Sequence, residues 1–289
     1  MPPTLVHNMP KVIPKKRFGQ HFLKDKNIIR KIVDGAGVSK DDLVLEIGPG
    51  LGDMTSLLSQ KAERVIAVEL DRELFSILLE KFGKGGVIPP LQETGENNVE
   101  IVNADALRFD IGGLFERFGK KIKVVANLPY NISTPLLFKF FEDKNYISSM
   151  TLMFQKEVAD RLIAVPGTKD YGVLSIYAQL YTKPSFLLKV SPHAFTPPPK
   201  VDSAVVRLDV LKEPSVKAVD EGFMLTVVKS AFGQRRKTLS NALSSGLGLP
   251  KDTVNTALKL AGVDGLRRGE TLTLDEFCNL SDVFATDIL

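Results

Sequence analysis

The tetrapeptide Asn127-Leu128-Pro129-Tyr130 ends the apolar run from Ile122 to Ala126, and its residue types suit one kind of chemistry. An Asn side-chain oxygen and the carbonyl before a proline both accept hydrogen bonds from an exocyclic NH2 group, while Tyr130 offers a flat face to a base. None of the four is a nucleophile or a strong general base. The reading is therefore of a site that holds an amino nitrogen. The same residues also suit a turn that ends a buried strand.

Upstream, Leu43 to Ile47 reads as an apolar strand that runs into Gly48-Pro49-Gly50-Leu51-Gly52, a loop with glycine at alternate positions. Such a loop lets main chain approach a ligand closely. A second apolar strand, Val65 to Val68, ends in Glu69 about twenty residues on, where nucleotide-binding α/β folds place an acid for ribose hydroxyls. The dinucleotide fingerprint is G-x-G-x-x-G. Here the third glycine comes one residue early and Pro49 sits inside the loop, which favours S-adenosylmethionine over NAD. A tight strand-to-helix turn and a surface carboxylate are the plain structural alternatives. A third apolar strand, Val99 to Val102, leads to Asp105, whose carboxylate suits an adenine amino group or, equally, the cap of the next turn. The loop, Glu69, Asp105 and Asn127 all fall at the carboxyl ends of successive strands, where open α/β sheets bind ligands.

These blocks, in this order, resemble the ribosomal RNA adenine N6,N6-dimethyltransferases of the small subunit in their bacterial form. The resemblance spans nearly the whole chain. It runs from Arg17-Phe-Gly-Gln-His21-Phe-Leu23 through Glu46 to Gly50, Val68 to Asp71 and Asn127 to Ser133, and then through Phe195 to Ser203 and Phe232 to Thr238. It implies a Rossmann-like S-adenosylmethionine-dependent methyltransferase domain with a mainly seven-stranded sheet, followed by a small all-helical domain. Carried over by position, the cofactor contacts fall on His21, Leu23, Gly48, Gly50, Glu69, Asp105 and Asn127. Several members carry Asn at the position of His21, and both side chains can donate a hydrogen bond. Asn127, Leu128, Pro129 and Tyr130 would then hold the acceptor adenine. Phe195, stiffened by Pro197, Pro198 and Pro199, would stack on its opposite face, unless it simply closes the core beneath a polyproline turn.

Charge distribution adds to this reading. A net charge of +4 is mild, but Lys11, Lys15, Lys16, Arg17, Lys24, Lys26, Arg30 and Lys31 crowd the amino-terminal segment, with Asp25 the only acid among them. A polyanion is the natural partner; a solvated tail and helix face is the alternative. Lys15, Lys16 and Arg17, with Lys229, Arg235, Arg236 and Lys237, are the expected RNA contacts. The resemblance makes the partner small-subunit rRNA within an immature 30S subunit. The single cysteine excludes an internal disulfide, and three histidines offer no spacing for structural zinc, so no metal is expected. No apolar stretch is long enough to cross a membrane and no signal-peptide core precedes the first strand, which points to the cytoplasm. A monomer is the expected state, since no heptad pattern can be read.

At 289 residues and 44% hydrophobic, the chain can bury a full core. The expected division is a tail over 1–14, a catalytic domain over 15–211, a linker containing Pro214 over 212–219, and a helical rRNA-binding domain over 220–289. Helical spacing predicts helices over 24–36, 55–61, 134–141, 156–164 and 171–181. Residues 150–154 read as a strand, and 185–190 with 203–210 as a final hairpin pair. Residues 83–98 read as an exposed loop.

The implied reaction is direct in-line methyl transfer from a sulfonium to adenine N6, repeated on the same nitrogen. Three competitors differ in testable ways. A relative that dimethylates large-subunit rRNA shares the loop and the Asn-Leu-Pro-Tyr site but lacks the Phe232 to Thr238 block. A binder without catalysis would not need an intact cofactor loop and Asn127. An NAD dehydrogenase would need different glycine spacing and a proton donor for hydride transfer.

Overall fold

The computed structural model describes residues 14–15, 19–83 and 98–288. The chain first forms a two-residue strand, β1 (Phe22–Leu23), and helix α1 (Lys26–Gly35). Asp25 caps α1 by accepting from the Asn27 and Ile28 amides, and Ile29, Ile32 and Val33 bury one face. Strands and helices then alternate through β2 (Leu43–Ile47), α2 (Asp53–Lys61), β3 (Arg64–Glu69), α3 (Arg72–Phe82), β4 (Val99–Asn103), α4 (Ile111–Phe118), β5 (Ile122–Asn127), α5 (Ser133–Glu142) and β6 (Ile147–Gln155). Two helices follow, α6 (Lys156–Ile163) and α7 (Val173–Tyr181), before β7 (Thr182–Val190), β8 (Phe195–Thr196) and β9 (Ser203–Val210). Beyond Val210 the described chain holds only helices and turns, chiefly α8 (Glu221–Gly233), α9 (Leu239–Leu247), α10 (Lys251–Leu260) and α11 (Leu274–Val283).

Seven strands make one sheet in the order β4-β3-β2-β5-β6-β9-β7. The first five are parallel, and β9 and β7 join antiparallel. All five residues of β2 are buried, as expected of a central parallel strand covered on both faces. Alternation sends Leu43, Leu45 and Ile47 to one core, shared with α4 to α7. It sends Val44 to the other, shared with α1, α2 and α3. Pro184 lies in β7, an edge strand, where its missing N–H costs no ladder bond to a further strand.

Strand order reverses at β2, because β3 and β4 lie to one side and β5 to the other. That switch point is where open α/β sheets leave a crevice beyond their carboxyl ends. Register aligns the exits: Ile47 pairs with both Val68 and Ala126, and Glu69 with Asn103. The glycine loop, Glu69, the turn after Asn103 and Asn127 therefore surround one crevice.

The expected helices and strands all form, with β6 and β7 each starting three residues early. Helices α3 and α4 were not foreseen. Gly112 and Gly113 make α4 read as a break, yet Asp110 caps it through the Gly113 amide at 3.0 Å and Ile111 and Leu114 bury its inner face. Residues 84–97 of the expected loop lie outside the described residues. The carboxyl-terminal helices pack on α7 through a continuous apolar core that includes Met224, Val228, Phe277 and Leu280. The Tyr181 hydroxyl donates to Glu221 across that seam at 2.7 Å. Among the described residues, no helix is long and apolar enough to cross a membrane.

Candidate active site

The crevice opens into a cleft of about 1260 Å³, its open mouth included, lined by the glycine loop, Glu69, Asp105, Asn127 to Ile132 and residues 19–24. Gly48 and Gly50 take φ of 66° and 60°, the left-handed region where a side chain would be strained. A Cβ at Gly50 would also lie 3.3 Å from the Phe22 ring. The loop thus presents bare main chain to the cleft.

Glu69 ends β3 and is only 7% exposed. It accepts from the Asp71 amide at 2.9 Å and from the Gly50 amide at 3.4 Å. Burial pushes its pKa up, and those amides offset part of the rise. Asp71 is in turn the hub of a latch: Lys15 Nζ reaches it at 2.7 Å and Gln20 Nε2 at 3.0 Å. Burial alone would raise the Asp71 pKa, but the Lys15 and Gln20 hydrogen bonds win and hold it below the usual carboxylate range. Asp105 accepts from the Leu107 amide at 2.9 Å, so it caps a turn and lines the cleft at once.

Asn127 leaves β5 with Nδ2 donating to the His21 carbonyl at 3.4 Å, which turns Oδ1 away from that partner. The Leu128 amide is tied to the Met153 carbonyl at 3.2 Å, while its own carbonyl takes no backbone hydrogen bond among the described residues. Adjacent residues that both line the cleft thus leave two acceptors, Asn127 Oδ1 and the Leu128 carbonyl, of the kind that an NH2 group pairs with. Tyr130 is fixed at three points. Its hydroxyl lies 2.6 Å from Ser203 Oγ, its carbonyl accepts from Ser133 Oγ at 3.1 Å, and its ring stacks on His21 with centroids 5.5 Å apart.

Three expectations need correction or completion. Phe195 does not project into the cleft. It is 3% exposed and packed among Ile29, Val190 and Val205, because β8 pairs with β1 and turns the ring inward. Lys15 is not a free cation, since Asp71 and Glu73 both pair with it. Arg235 pairs with Glu270 at 3.3 Å and donates to the Lys169 carbonyl. Arg236 and Lys237 are exposed, and no carboxylate pairs with either among the described residues; Lys229 is exposed with its amine 5.9 Å from the Tyr177 ring centroid. Lys11, Lys16 and Arg17 lie outside the described residues.

Glu46 lies two residues before Gly48, near the buried end of β2. It is fully buried and lines the cleft, and among the described residues neither of its oxygens has a hydrogen-bond partner, nor does the nearby Thr55 hydroxyl. Burial pushes its pKa up to about 8. Its signal was present in the sequence as one acid within an otherwise apolar strand. Ser203 carried no such signal, because only the fold brings it to Tyr130.

The ribosomal RNA adenine dimethylase family matches this chain over residues 13–286. A protein of Alkaliphilus oremlandii named ribosomal RNA small subunit methyltransferase A is 48% identical over 273 residues, which span 93% of this chain and 91% of that protein. Among solved structures, a dimethyladenosine transferase from Plasmodium falciparum superposes with a TM-score of 0.73 at 27% identity, over 92% of this chain and 98% of that one. The 23S rRNA methyltransferase ErmE superposes with a TM-score of 0.68 at 28% identity, over 92% and 100%. With the family's match running from before the glycine loop to the last helix, the chain belongs to the ribosomal RNA adenine dimethylases.

Proposed function

We propose that this chain uses S-adenosylmethionine to dimethylate N6 of two adjacent adenosines in the 3′-terminal hairpin loop of small-subunit rRNA, within an immature 30S subunit. The observation that carries this reading is the pair of acceptors, Asn127 Oδ1 and the Leu128 carbonyl, which take no hydrogen bond among the described residues and lie beside the glycine loop at the sheet's switch point. The small-subunit methyltransferase of Alkaliphilus oremlandii, at 48% identity, supports the choice of subunit.

The residues present fit the cofactor. Glu69 suits ribose hydroxyls, Asp105 an adenine amino group, and the Gly48 to Gly50 main chain, with His21 and Leu23, the rest of its outline. Among the described residues the buried Glu46 carboxyl has no hydrogen-bond partner, and a cation such as the cofactor's ammonium would favour its ionised form. When bound, S-adenosylmethionine supplies a methyl group already activated by its sulfonium. Asn127 Oδ1 and the Leu128 carbonyl accept the two N6 hydrogens, turn the nitrogen lone pair out of conjugation and aim it. Rate comes mainly from that orientation, with reacting atoms held about 3 to 3.5 Å apart. The N6 proton leaves to solvent, and the remaining N–H lets the site act again.

The catalytic domain runs over 15–211, joined by a linker over 212–219 to an RNA-gripping helical domain over 220–289. Lys229, Arg236 and Lys237 hold phosphates there, and phosphate contacts set register without reading sequence. Lys16 and Arg17 add contacts from the amino-terminal side, whereas Lys15 and Arg235 act first as internal braces. The protein works as a cytoplasmic monomer. Labelled methyl transfer to undermethylated small subunits and, in parallel, to large-subunit rRNA tests the reading. Dimethyladenosine at adjacent positions near the small-subunit 3′ end is the expected product, with Asn127→Ala inactive. Label confined to large-subunit rRNA would replace this reading with that of an ErmE-like enzyme.

A further inference from the structure

Gly48, Gly50 and Gly52 take φ of 66°, 60° and 76°, so the main chain that meets the cleft is built on three soft joints at alternate positions. Something must hold it in one shape before a ligand arrives. Apart from Ser56, which bonds back to the Gly52 carbonyl within α2, two side chains hydrogen-bond to this main chain among the described residues. Glu69 accepts from the Gly50 amide at 3.4 Å, a long bond from the acid proposed for ribose hydroxyls. Lys81, in the last turn of α3, donates from Nζ to the Leu51 carbonyl at 2.9 Å. The same end of α3 closes on the third glycine, where a Cβ at Gly52 would lie 2.6 Å from the Phe82 ring and 2.9 Å from Leu78. Lys81 Nζ also lies 3.6 Å from Asp53 and 5.4 Å from the Phe82 ring centroid, and its side chain is only 28% exposed. Its charge serves a second end. Burial drives Glu46 towards its neutral form and the charge of Glu69 adds to that, whereas Lys81 opposes it.

We infer that Lys81 is a positioning residue of the cofactor site, whose bond to the Leu51 carbonyl holds the glycine loop in the shape that meets S-adenosylmethionine. This rests on the placement of the cofactor above. Lys81 is not among the residues that line the cleft, so it acts through the loop and not by contact with a ligand. A loop fixed beforehand loses less freedom on binding, and the brace therefore shows as affinity. The loop holds the cofactor alike before and during transfer, so loss of the brace should raise KM for S-adenosylmethionine and spare kcat. When the ligand draws Glu69 to its hydroxyls, the Lys81 bond is the one that stays.

The test compares Lys81→Met, which keeps the stem over Phe82 and removes the donor, with Lys81→Arg, which keeps both donor and charge. Each full-length variant is measured by calorimetric binding of S-adenosylhomocysteine, by steady-state methyl transfer to undermethylated small subunits, and by a thermal melt. A hydrogen bond from a charged group predicts S-adenosylhomocysteine binding roughly tenfold weaker in Lys81→Met. KM for S-adenosylmethionine should rise by the same order, with kcat within about twofold of the unaltered protein. Lys81→Arg should recover most of the affinity. Unchanged affinity in Lys81→Met would overturn the inference. So would a loss of affinity that Lys81→Arg shares and that follows a fall in the unfolding midpoint, because the lysine would then merely support α3. If the unaltered protein binds no S-adenosylhomocysteine, the cofactor placement itself falls and this inference falls with it.

Discussion

The hydroxyls of Tyr130 and Ser203 lie 2.6 Å apart and tie the turn after β5 to the buried start of β9. The two residues are 73 positions apart in sequence, and their meeting sets the plane of the ring expected to receive a base. Burial pushes the Tyr130 pKa up, so the phenol stays protonated and serves as a neutral hydrogen-bonding handle. A net hydrogen bond is worth about 0.5 to 1.5 kcal/mol, which corresponds to roughly 2- to 12-fold in rate if all of it acts on the aligned base. Tyr130→Phe and Ser203→Ala should each lower single-turnover methyl transfer by that order. The double variant should be no slower than the worse single one, because both remove the same contact. Additive losses would show that Ser203 supports the site by another route.

Lys15 and Asp71 form a second long-range link, 2.7 Å across, between the amino-terminal segment and the turn that follows Glu69. Asp71 also caps α3 through the Glu73 amide at 3.1 Å and donates its own amide to Glu69. Asp71→Ala should therefore act twice. Loss of the cap costs about 1 kcal/mol of stability. Release of Lys15 and Gln20 loosens the segment that carries His21 and Leu23 over the cleft, so S-adenosylhomocysteine affinity should fall severalfold. Lys15→Gln should weaken cofactor binding while leaving α3 capped. If it instead weakened RNA binding alone, Lys15 would be a phosphate contact and the latch incidental.

Glu46 makes a prediction about protons. In the fold burial lifts its carboxyl to about 8 from an ordinary 4.5. Between those values the folded protein keeps a proton that the unfolded chain has lost. The group's contribution to stability is thus complete below about pH 4.5 and is lost as pH rises through about 8. A cation seated against Glu46 favours the ionised form, so cofactor binding near pH 7 should expel a proton and tighten as pH rises towards 8. Calorimetry of S-adenosylmethionine binding in two buffers of different ionisation enthalpy measures the release directly. Glu69 is also raised, so the informative comparison is with Glu46→Gln, in which the release should drop. Equal release in the two proteins would mean that Glu46 does not meet the cofactor's charge.

Much of this site was legible because its parts are local. The glycine loop, Glu69, Asp105 and Asn127 each end a strand, and parallel strands in register bring their ends together without further information. Residues whose role depends on a distant partner were not legible in the same way. Phe195 carries every local mark of a projecting ring, yet the pairing of Leu23 with Phe195 turns it into the core. Arg235 has the composition of a phosphate contact, but the fold brings Glu270 and the Lys169 carbonyl to it. Helix α4 was hidden for a different reason, since two glycines outweighed a capping aspartate in any reading by propensity.

The distinction between free and braced cations gives the last prediction. Each phosphate neutralised by a protein cation releases counterions, so log K for RNA falls with log salt concentration in proportion to the number of such contacts. Arg236 and Lys237 are exposed, with no carboxylate partner among the described residues, so each neutral substitution should flatten the slope by about 0.7 to 0.9. Arg235 bonds across the seam between the loop that joins α6 to α7 and the carboxyl-terminal helices. The same loop is tied to those helices a second time, where the Gly167 amide donates to the Glu270 carbonyl at 2.8 Å. Arg235→Gln should therefore leave the slope nearly unchanged and instead lower the thermal unfolding midpoint. Filter binding of the 3′-terminal hairpin across a salt series, with a melt of each variant, separates the two behaviours. A full unit lost from the Arg235→Gln slope, without any loss of stability, would mean that the arginine leaves Glu270 for phosphate when RNA arrives.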